Sequence, residues 1–155
     1  MRLALYQPDM AGNVGAAIRV AACFGAGLDI IEPCGFPLDA RDIRRAAMDY
    51  AALAAPVRHA SWRAFCDSPE RRGGRLLLLT TRAARPIWEF AFQPDDVILL
   101  GRESAGAPEA VHAAADARLL IPLAPGARSL NVAVAGAVAL AEARRQIGYN
   151  EASMI

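Results

Sequence analysis

Four consecutive aliphatic residues, Val97-Ile-Leu-Leu100, run straight into Gly101, and a second apolar run, Leu119-Leu-Ile121, stops at Pro122. Runs of strand length without polar alternation are buried on both faces, the pattern of a parallel sheet covered by helices. These two are expected to be neighbouring strands. In such sheets ligands sit beyond the carboxyl ends of the strands, so the loops after Leu100 and Ile121 are where a site is expected. Arg2–Tyr6, Asp29–Ile31, Val57–His59 and Arg75–Thr80 read as further strands. Between them, helical stretches are expected from Val14 to Phe24 (capped by Asn13), from Asp39 to Tyr50 and from Ser61 to Cys66. Glu70–Gly74 reads as a polar turn and Thr81–Pro86 as a loop. The alternation predicts an α/β fold with a mainly parallel sheet flanked by helices.

The last helix has an unusual composition. From Asn131 to Ala143 it is nearly all Val, Ala, Gly and Leu, turning polar only at Arg144-Arg145-Gln146. A helix that is apolar all round is buried all round, and in a chain this small a second subunit is the simplest cover. Gly136, which costs about 1 kcal/mol relative to Ala in a helix, suits a place where two backbones approach. A homodimer through this C-terminal helix is therefore expected.

The 155 residues read as one domain, residues 1–155, with no separate RNA-binding domain. No apolar run reaches the roughly 18–20 residues of a membrane span, and the apolar start is cut off at Gln7-Pro8-Asp9, so no membrane association and a cytoplasmic location are expected. Cys23, Cys34 and Cys66 are far apart, as are His59 and His112, so no metal site is expected. All 17 basic residues are Arg; without Lys, Schiff-base chemistry and a P-loop are excluded. Between Arg41 and Arg85 stand 10 Arg against 4 acids, a local +6, while the remainder carries −5. That segment reads either as a solvated face or as a surface for a polyanion such as RNA.

Gly12-Asn-Val-Gly15 and Gly25-Ala-Gly27 do not complete a dinucleotide fingerprint, and there is no G-x-S-x-G elbow. Three polar islands stand in apolar surroundings. Asn13 and Arg19 lie on the first helix, where Arg19 either pairs with an acid or carries function. Gly101-Arg-Glu-Ser-Ala-Gly106 places two glycines around a Glu at a strand end, either an ordinary turn or a close approach to a ligand. Arg128-Ser129-Leu130-Asn131 opens the last helix; Ser129 is either a plain N-cap or part of a site for polar or anionic groups.

In order and spacing these islands resemble the three motifs of the SPOUT, or α/β-knot, RNA 2′-O-methyltransferases of the TrmH/TrmL family. The resemblance covers Arg2 to about Gln146. Its first motif is Pro8 to Arg19, its second Leu100 to Gly106, and its third Ile121-Pro122 with Arg128 to Asn131. Ile31-Glu-Pro33, Arg44-Arg45-Ala46 and Asp49-Tyr50 look like the compact members that methylate the wobble cytidine or uridine of tRNA, leucine tRNAs among them. The resemblance implies S-adenosylmethionine (SAM) as cofactor, held in a C-terminal trefoil knot, with tRNA as partner. It implies that Leu79, Gly101, Ile121 and Ser129 contact SAM, and that Asn13, Arg19, Glu103, Ser129 and Asn131 form the catalytic surface, shared between two subunits. Arg41, Arg44 and Arg45 are the expected RNA-binding residues. Arg102 and Ala105 stand where Pro and Arg are common in the family, Val132-Ala-Val134 replaces a more polar segment, and Ala141 stands where Tyr is frequent.

Under that reading a neutral ribose hydroxyl must lose its proton as it attacks. A guanidinium stays protonated near neutral pH and is a poor base, so Arg19 is expected to stabilise the developing alkoxide, unless a substrate phosphate takes the proton. Ser129 and Asn131 would orient, and Glu103 would hold Arg19 or a backbone amide. A SPOUT enzyme for another tRNA or rRNA position, and a non-catalytic RNA-binding module of the same fold, are the competing readings. Arg102 and Ala105 keep the first open; Arg19, Glu103, Ser129 and Asn131 speak against the second.

Overall fold

The structure, a computed structural model, describes residues 1–39 and 41–149. Seven strands form one parallel sheet: β1 (Arg2–Tyr6), β2 (Gly27–Ile31), β3 (Val57–His59), β4 (Leu76–Leu79), β5 (Arg85–Pro86), β6 (Val97–Leu100) and β7 (Ala117–Leu120). Their spatial order is β3-β2-β1-β6-β4-β7-β5. The expected parallel α/β sheet is present, with one correction. β6 and β7 are not neighbours, because β4 lies between them, paired Leu79↔Leu100 on one side and Leu79↔Leu119 on the other. Four consecutive leucines in β4 are what allow it to sit in the centre, buried on both faces.

The helices are α1 (Ala11–Cys23), α2 (Arg41–Ala47), α3 (Ala51–Ala54), α4 (Trp62–Cys66), α5 (Pro69–Arg72), α6 (Glu109–Ala114) and α7 (Val132–Ile147). Side chains alternate across each strand. Leu3, Leu5, Ile98, Leu100 and Leu77 face the α1–α7 side, where Val14, Ala17, Ile18, Ala139 and Leu140 close the core. Ala4, Tyr6, Leu76, Leu78, Val97 and Leu99 face Phe65 and Val111 on the other side.

Four local expectations need correcting. The end of the expected Thr81–Pro86 loop, Arg85–Pro86, pairs with Leu119 and Leu120 as the edge strand β5. Helix α1 begins before Asn13, with Met10 at its N-cap, so Asn13 does not cap it. The expected polar turn at Glu70–Gly74 is the short helix α5, started by Pro69 at its first position. Gly136 does its work inside the subunit: a Cβ there would come within 3.1 Å of Leu100 and 3.2 Å of Leu3, so its absence lets α7 lie close on β1 and β6. Asp39 meets α2 through its carbonyl, which accepts from the Arg44 guanidinium; the residue before α2, Ala40, and residues 150–155 of the expected domain lie outside the described residues.

Two buried carboxylates are held by basic partners. Asp29 on β2 takes the Arg2 guanidinium at 2.7 and 3.1 Å and His59 Nε2 at 2.8 Å. Asp96 takes both Nε and Nη2 of Arg75 at 2.8 Å, and the Arg75 guanidinium stacks on Phe90. Fully paired groups of this kind tie β1 to β2 and β3, and β4 to the segment entering β6.

Candidate active site

Leu79, Leu100 and Leu119 are in register across three strands; β4 and β6 end at that level and β7 one residue further on. Beyond that level lies a cleft of about 560 Å³, within the range of small-molecule and cofactor pockets. Its walls come from Leu79-Thr80-Thr81 after β4, from Leu100–Glu103 with Gly106 and Ala107 after β6, and from Ile121 and Leu123 after β7. The segment Arg128–Val132, with Ala135, closes it at the start of α7. Met10 and Asn13 reach it from α1.

Every residue expected to contact the cofactor, Leu79, Gly101, Ile121 and Ser129, lines this cleft, together with Asn13, Glu103 and Asn131. Arg128, singled out with Ser129 and Asn131 ahead of the last helix, lines it too; Thr80, Thr81, Leu123 and Leu130 also line it and were not among the expected site residues. The strand-end rule singles out their loops, but nothing in their composition marks them individually.

Polar side chains around the cleft form a connected set. The carboxamide of Asn131 donates to Asn13 Oδ1 at 2.8 Å, and Asn13 Nδ2 donates to Glu103 Oε1 at 3.0 Å. The backbone N–H of Asp9 donates to Glu103 Oε2 at 2.8 Å. Of the two partners expected for Glu103, the structure thus gives it a backbone amide, that of Asp9. The N-cap of α7 is Asn131 rather than Ser129: its Oδ1 accepts from the N–H groups of Ala133 and Val134 at 2.9 and 3.3 Å.

The Gly101–Gly106 loop is closed by a two-way backbone bridge, Arg102 N–H to Gly106 O at 3.0 Å and Gly106 N–H to Arg102 O at 2.9 Å. Gly106 has φ +67°, a conformation open to glycine. A Cβ on Gly101 would fall 2.6 Å from the Gly106 carbonyl carbon and 2.7 Å from the Ala107 nitrogen, so this glycine is required by the loop's own backbone. Asp9 grips the loop from outside. Its Oδ1 accepts from Arg102 Nε at 3.2 Å and Nη2 at 2.6 Å, and its Oδ2 from Ser104 N–H at 3.1 Å and Oγ at 2.5 Å. The Arg102 bond first, then Ser104, lowers the Asp9 carboxyl to about 2.

Arg19 is not part of this cleft. It lies six residues beyond Asn13, roughly 9 Å along the helix at 1.5 Å per residue, with its guanidinium 5.2 Å from the centre of the Tyr50 ring. Arg19, Asp49, Tyr50 and Leu53 surround a separate surface hollow of about 390 Å³. Arg41, Arg44 and Arg45 are exposed on α2, the helix that packs against α1. Burial raises the Cys34 thiol to about 11 and moves Cys66 upward, so neither is a thiolate near neutral pH. Among the described residues no three His, Cys, Asp or Glu gather in a metal-binding group, and no helix is long and apolar enough to cross a membrane.

A parallel sheet carrying a glycine-walled cleft at its strand ends, with a helix N-terminus beside it, defines a ligand-binding α/β protein of the open-sheet type. The chain belongs to the SpoU rRNA Methylase family, whose model matches residues 1–141. It is 56% identical over 146 residues to a tRNA (cytidine(34)-2'-O)-methyltransferase of Beijerinckia indica subsp. indica, spanning 94% of this chain and 91% of that one. The protein of the same description from Escherichia coli K12 is 36% identical over 151 residues, 96% and 95% of the two chains. A structure solved in work on 2-OH methylation of C/U34 on tRNA superposes with a TM-score of 0.88 at 39% identity, over 94% of this chain and 95% of that one. The SpoU methyltransferase AviRb of Streptomyces viridochromogenes, solved with AdoMet, gives 0.88 at 27% identity, over 95% of this chain and 60% of AviRb.

Proposed function

We propose that this chain is a SAM-dependent tRNA 2′-O-methyltransferase acting on the wobble ribose, a cytidine or uridine, of tRNAs that include leucine acceptors. The observation that carries the reading is the cleft itself: a near-complete set of family motif residues converges on it, in a chain 56% identical to a tRNA (cytidine(34)-2'-O)-methyltransferase. Its size and its lining of glycine backbone, aliphatic side chains and a few polar groups suit SAM, with Leu79, Gly101, Ile121 and Ser129 against the cofactor. Bound there, SAM supplies a methyl group on a positively charged sulfonium.

The chain's own residues then have separable tasks. Asn131 and Ser129, at the start of α7, orient the ribose at the cleft mouth. Glu103 fixes Asn13 and the Asp9 amide, so the rim of the cleft is set before substrate arrives. Arg19 stabilises the alkoxide that develops as the hydroxyl proton passes to a substrate phosphate or solvent water. Because Arg19 lies outside the cleft of its own subunit, we infer a homodimer in which it serves the partner's cleft. Exposed apolar residues support that arrangement: Val134 and Val138 of α7 are 49% and 37% exposed at the i, i+4 spacing of one helix face, and Leu130, just ahead of the Asn131 N-cap, is 37% exposed. Arg41, Arg44 and Arg45 supply the tRNA surface on α2. The connection from β7 must pass the ends of β4 and β6 before α7 packs on Leu3 and Leu100; this return is where we place the trefoil knot. A cytoplasmic location fits a tRNA substrate.

The test is methyl transfer from labelled SAM to unmodified tRNA transcripts, followed by nucleoside mass spectrometry. A 2′-O-methylated wobble nucleoside is the expected product. Methylation confined to another tRNA or rRNA position would replace the wobble reading with the broader family activity.

A further inference from the structure

The loop Arg102–Gly106 forms a wall of the cleft yet buries no apolar side chain of its own: Arg102 and Glu103 are half-buried, and Ser104, Ala105 and Gly106 are exposed. Packing therefore does little to hold it. Among the described residues, the hydrogen bonds that reach its side chains come from two positions, Asp9 and Asn13. Asp9 supplies most of them. Its two carboxylate oxygens are divided between Arg102 and Ser104, and its own N–H goes to Glu103, so three consecutive loop residues are fastened to one.

Asp9 is itself fixed. The chain just before α1 is backed by the segment after β2: Gly35 N–H donates to Pro8 O at 3.0 Å. A Cβ on Gly35 would lie 3.1 Å from Asp9 O and 3.2 Å from Asp9 Cα. A side chain held from behind, ionised at any physiological pH and bonded through both oxygens, is a rigid anchor rather than a mobile surface acid. It does not line the cleft, so it acts through the loop and not on the ligand.

We propose that Asp9 is a positioning residue for cofactor binding: by clamping Arg102 and Ser104 it holds the Gly101–Gly106 loop in the form that receives SAM. The inference rests on the SAM reading of the cleft. The clamp joins two segments more than 90 residues apart in sequence, and that separation explains why neither motif alone reveals it. A loop with few apolar anchors contributes little to the core. Releasing it therefore changes ligand affinity far more than it changes folding.

The experiment measures SAM affinity by calorimetry, melting temperature, and steady-state kinetics for the parent, Asp9→Asn, Arg102→Gln and the double variant. Asp9→Asn keeps the shape of the side chain but loses the charge and turns an amide toward Ser104. It is expected to weaken SAM binding about tenfold, comparable to losing one charge-assisted hydrogen bond. The effect should fall on KM for SAM, with kcat recovered at saturating cofactor and the melting temperature nearly constant. Arg102→Gln should act in the same direction, and the double variant should be no weaker than the weaker single, since both remove the same ion pair. If the parent binds SAM and Asp9→Asn binds it within about twofold of the parent, or if the two losses simply add, the clamp is not what positions the loop. A parent that binds no SAM overturns the cofactor reading itself, a separate result. Should Asp9→Asn fail to fold, Arg102→Gln and Ser104→Ala, which leave the entry to α1 intact, carry the same expectation. Normal SAM affinity in both would overturn it.

Discussion

Asn13 and Asn131 are 118 residues apart in sequence and share a side-chain hydrogen bond of 2.8 Å. One sits in the first turn of α1, the other caps α7, and Glu103 completes the set through Asn13. The start of the first helix, the loop after β6 and the start of the last helix are thus joined at one rim of the cleft.

Asn131 has two tasks that substitution can separate. Asn131→Ala removes both the cap of α7 and the bond to Asn13, and is expected to cost about 1 kcal/mol of stability together with most of the methyl transfer. Asn131→Asp keeps the capping oxygen but cannot donate to Asn13. Denaturant unfolding should show near-parental stability for Asn131→Asp, while a methylation assay shows a clear loss. Parental activity in Asn131→Asp would mean the Asn13 bond is dispensable.

Gly101→Val should abolish SAM binding. The new side chain collides with backbone atoms of Gly106 and Ala107, which cannot swing aside as a flexible side chain could, so the loop must leave its place. Strand β6 ends before this position, and a native-like circular dichroism spectrum with cooperative melting is expected. Calorimetry showing near-normal SAM affinity in the folded variant would place the ligand elsewhere.

Acid should loosen the clamp. Asp9 is lowered from 3.8 to about 2 by Arg102 and Ser104, and Glu142 from 4.5 to about 2 by Arg145 and Gln146. A carboxylate with a depressed folded-state pKa stabilises the fold above its unfolded value and loses that contribution as pH falls through the folded value. The window is therefore from about pH 4.5 down to about pH 2. Solvent screening around the half-buried Arg102 and the exposed Arg145 limits each contribution to about 1 kcal/mol or less. Urea unfolding across that window should show a shallower acid loss in Asp9→Asn than in the parent. Superimposable pH curves for the two would contradict the assignment.

How much of the fold and site is legible in the sequence differs from element to element, for physical reasons. Val97–Leu100 and Leu76–Leu79 announce buried strands because a central parallel strand is apolar on both faces, and strand-end logic then locates the cleft. The order of strands is another matter: nothing in Leu119–Ile121 tells it that β4 will come between it and β6, since pairing among equally apolar strands is decided by the crossovers. Asn13 looks like a cap because Asn before an apolar helix usually is one; its real partners, Glu103 and Asn131, come from distant segments. Gly136 signals close approach correctly, but the sequence does not say whether the approaching surface is Leu3 and Leu100 or another subunit. The Asp9 clamp is invisible for the same reason as the Asn13 bond, being long-range and polar.

The three arginines at α2 should govern tRNA affinity and leave SAM affinity nearly untouched. Arg41, Arg44 and Arg45 are exposed, and neutralising them removes positive charge from this face without touching the cleft. Binding of tRNA should weaken, and the slope of log affinity against log salt should flatten by about one unit for each phosphate no longer neutralised. A tRNA affinity unchanged across a salt series would remove this face from the RNA site.

Arg19 stacks on Tyr50 outside the cleft that holds Gly101, so in a homodimer the two can meet only across the interface. Arg19→Ala and Gly101→Val each disable one half of the arrangement, and each homodimer should be inactive. Co-refolding the two variants produces heterodimers. If each active site combines Arg19 of one subunit with the cleft of the other, one of the two sites in a heterodimer collects both lesions and its companion collects none. Activity then returns to about half the parental value per heterodimer, since one site in two is intact. If every site is built within one subunit, each retains a lesion and the mixture stays inactive. Native mass spectrometry establishes that heterodimers have formed, and a confirmed heterodimer without methyl transfer rules out the shared site. Val134→Arg on the exposed face of α7 gives the complementary result. It should yield monomers with SAM affinity reduced at most modestly and methyl transfer abolished, because the cleft survives in each subunit while Arg19 no longer reaches one.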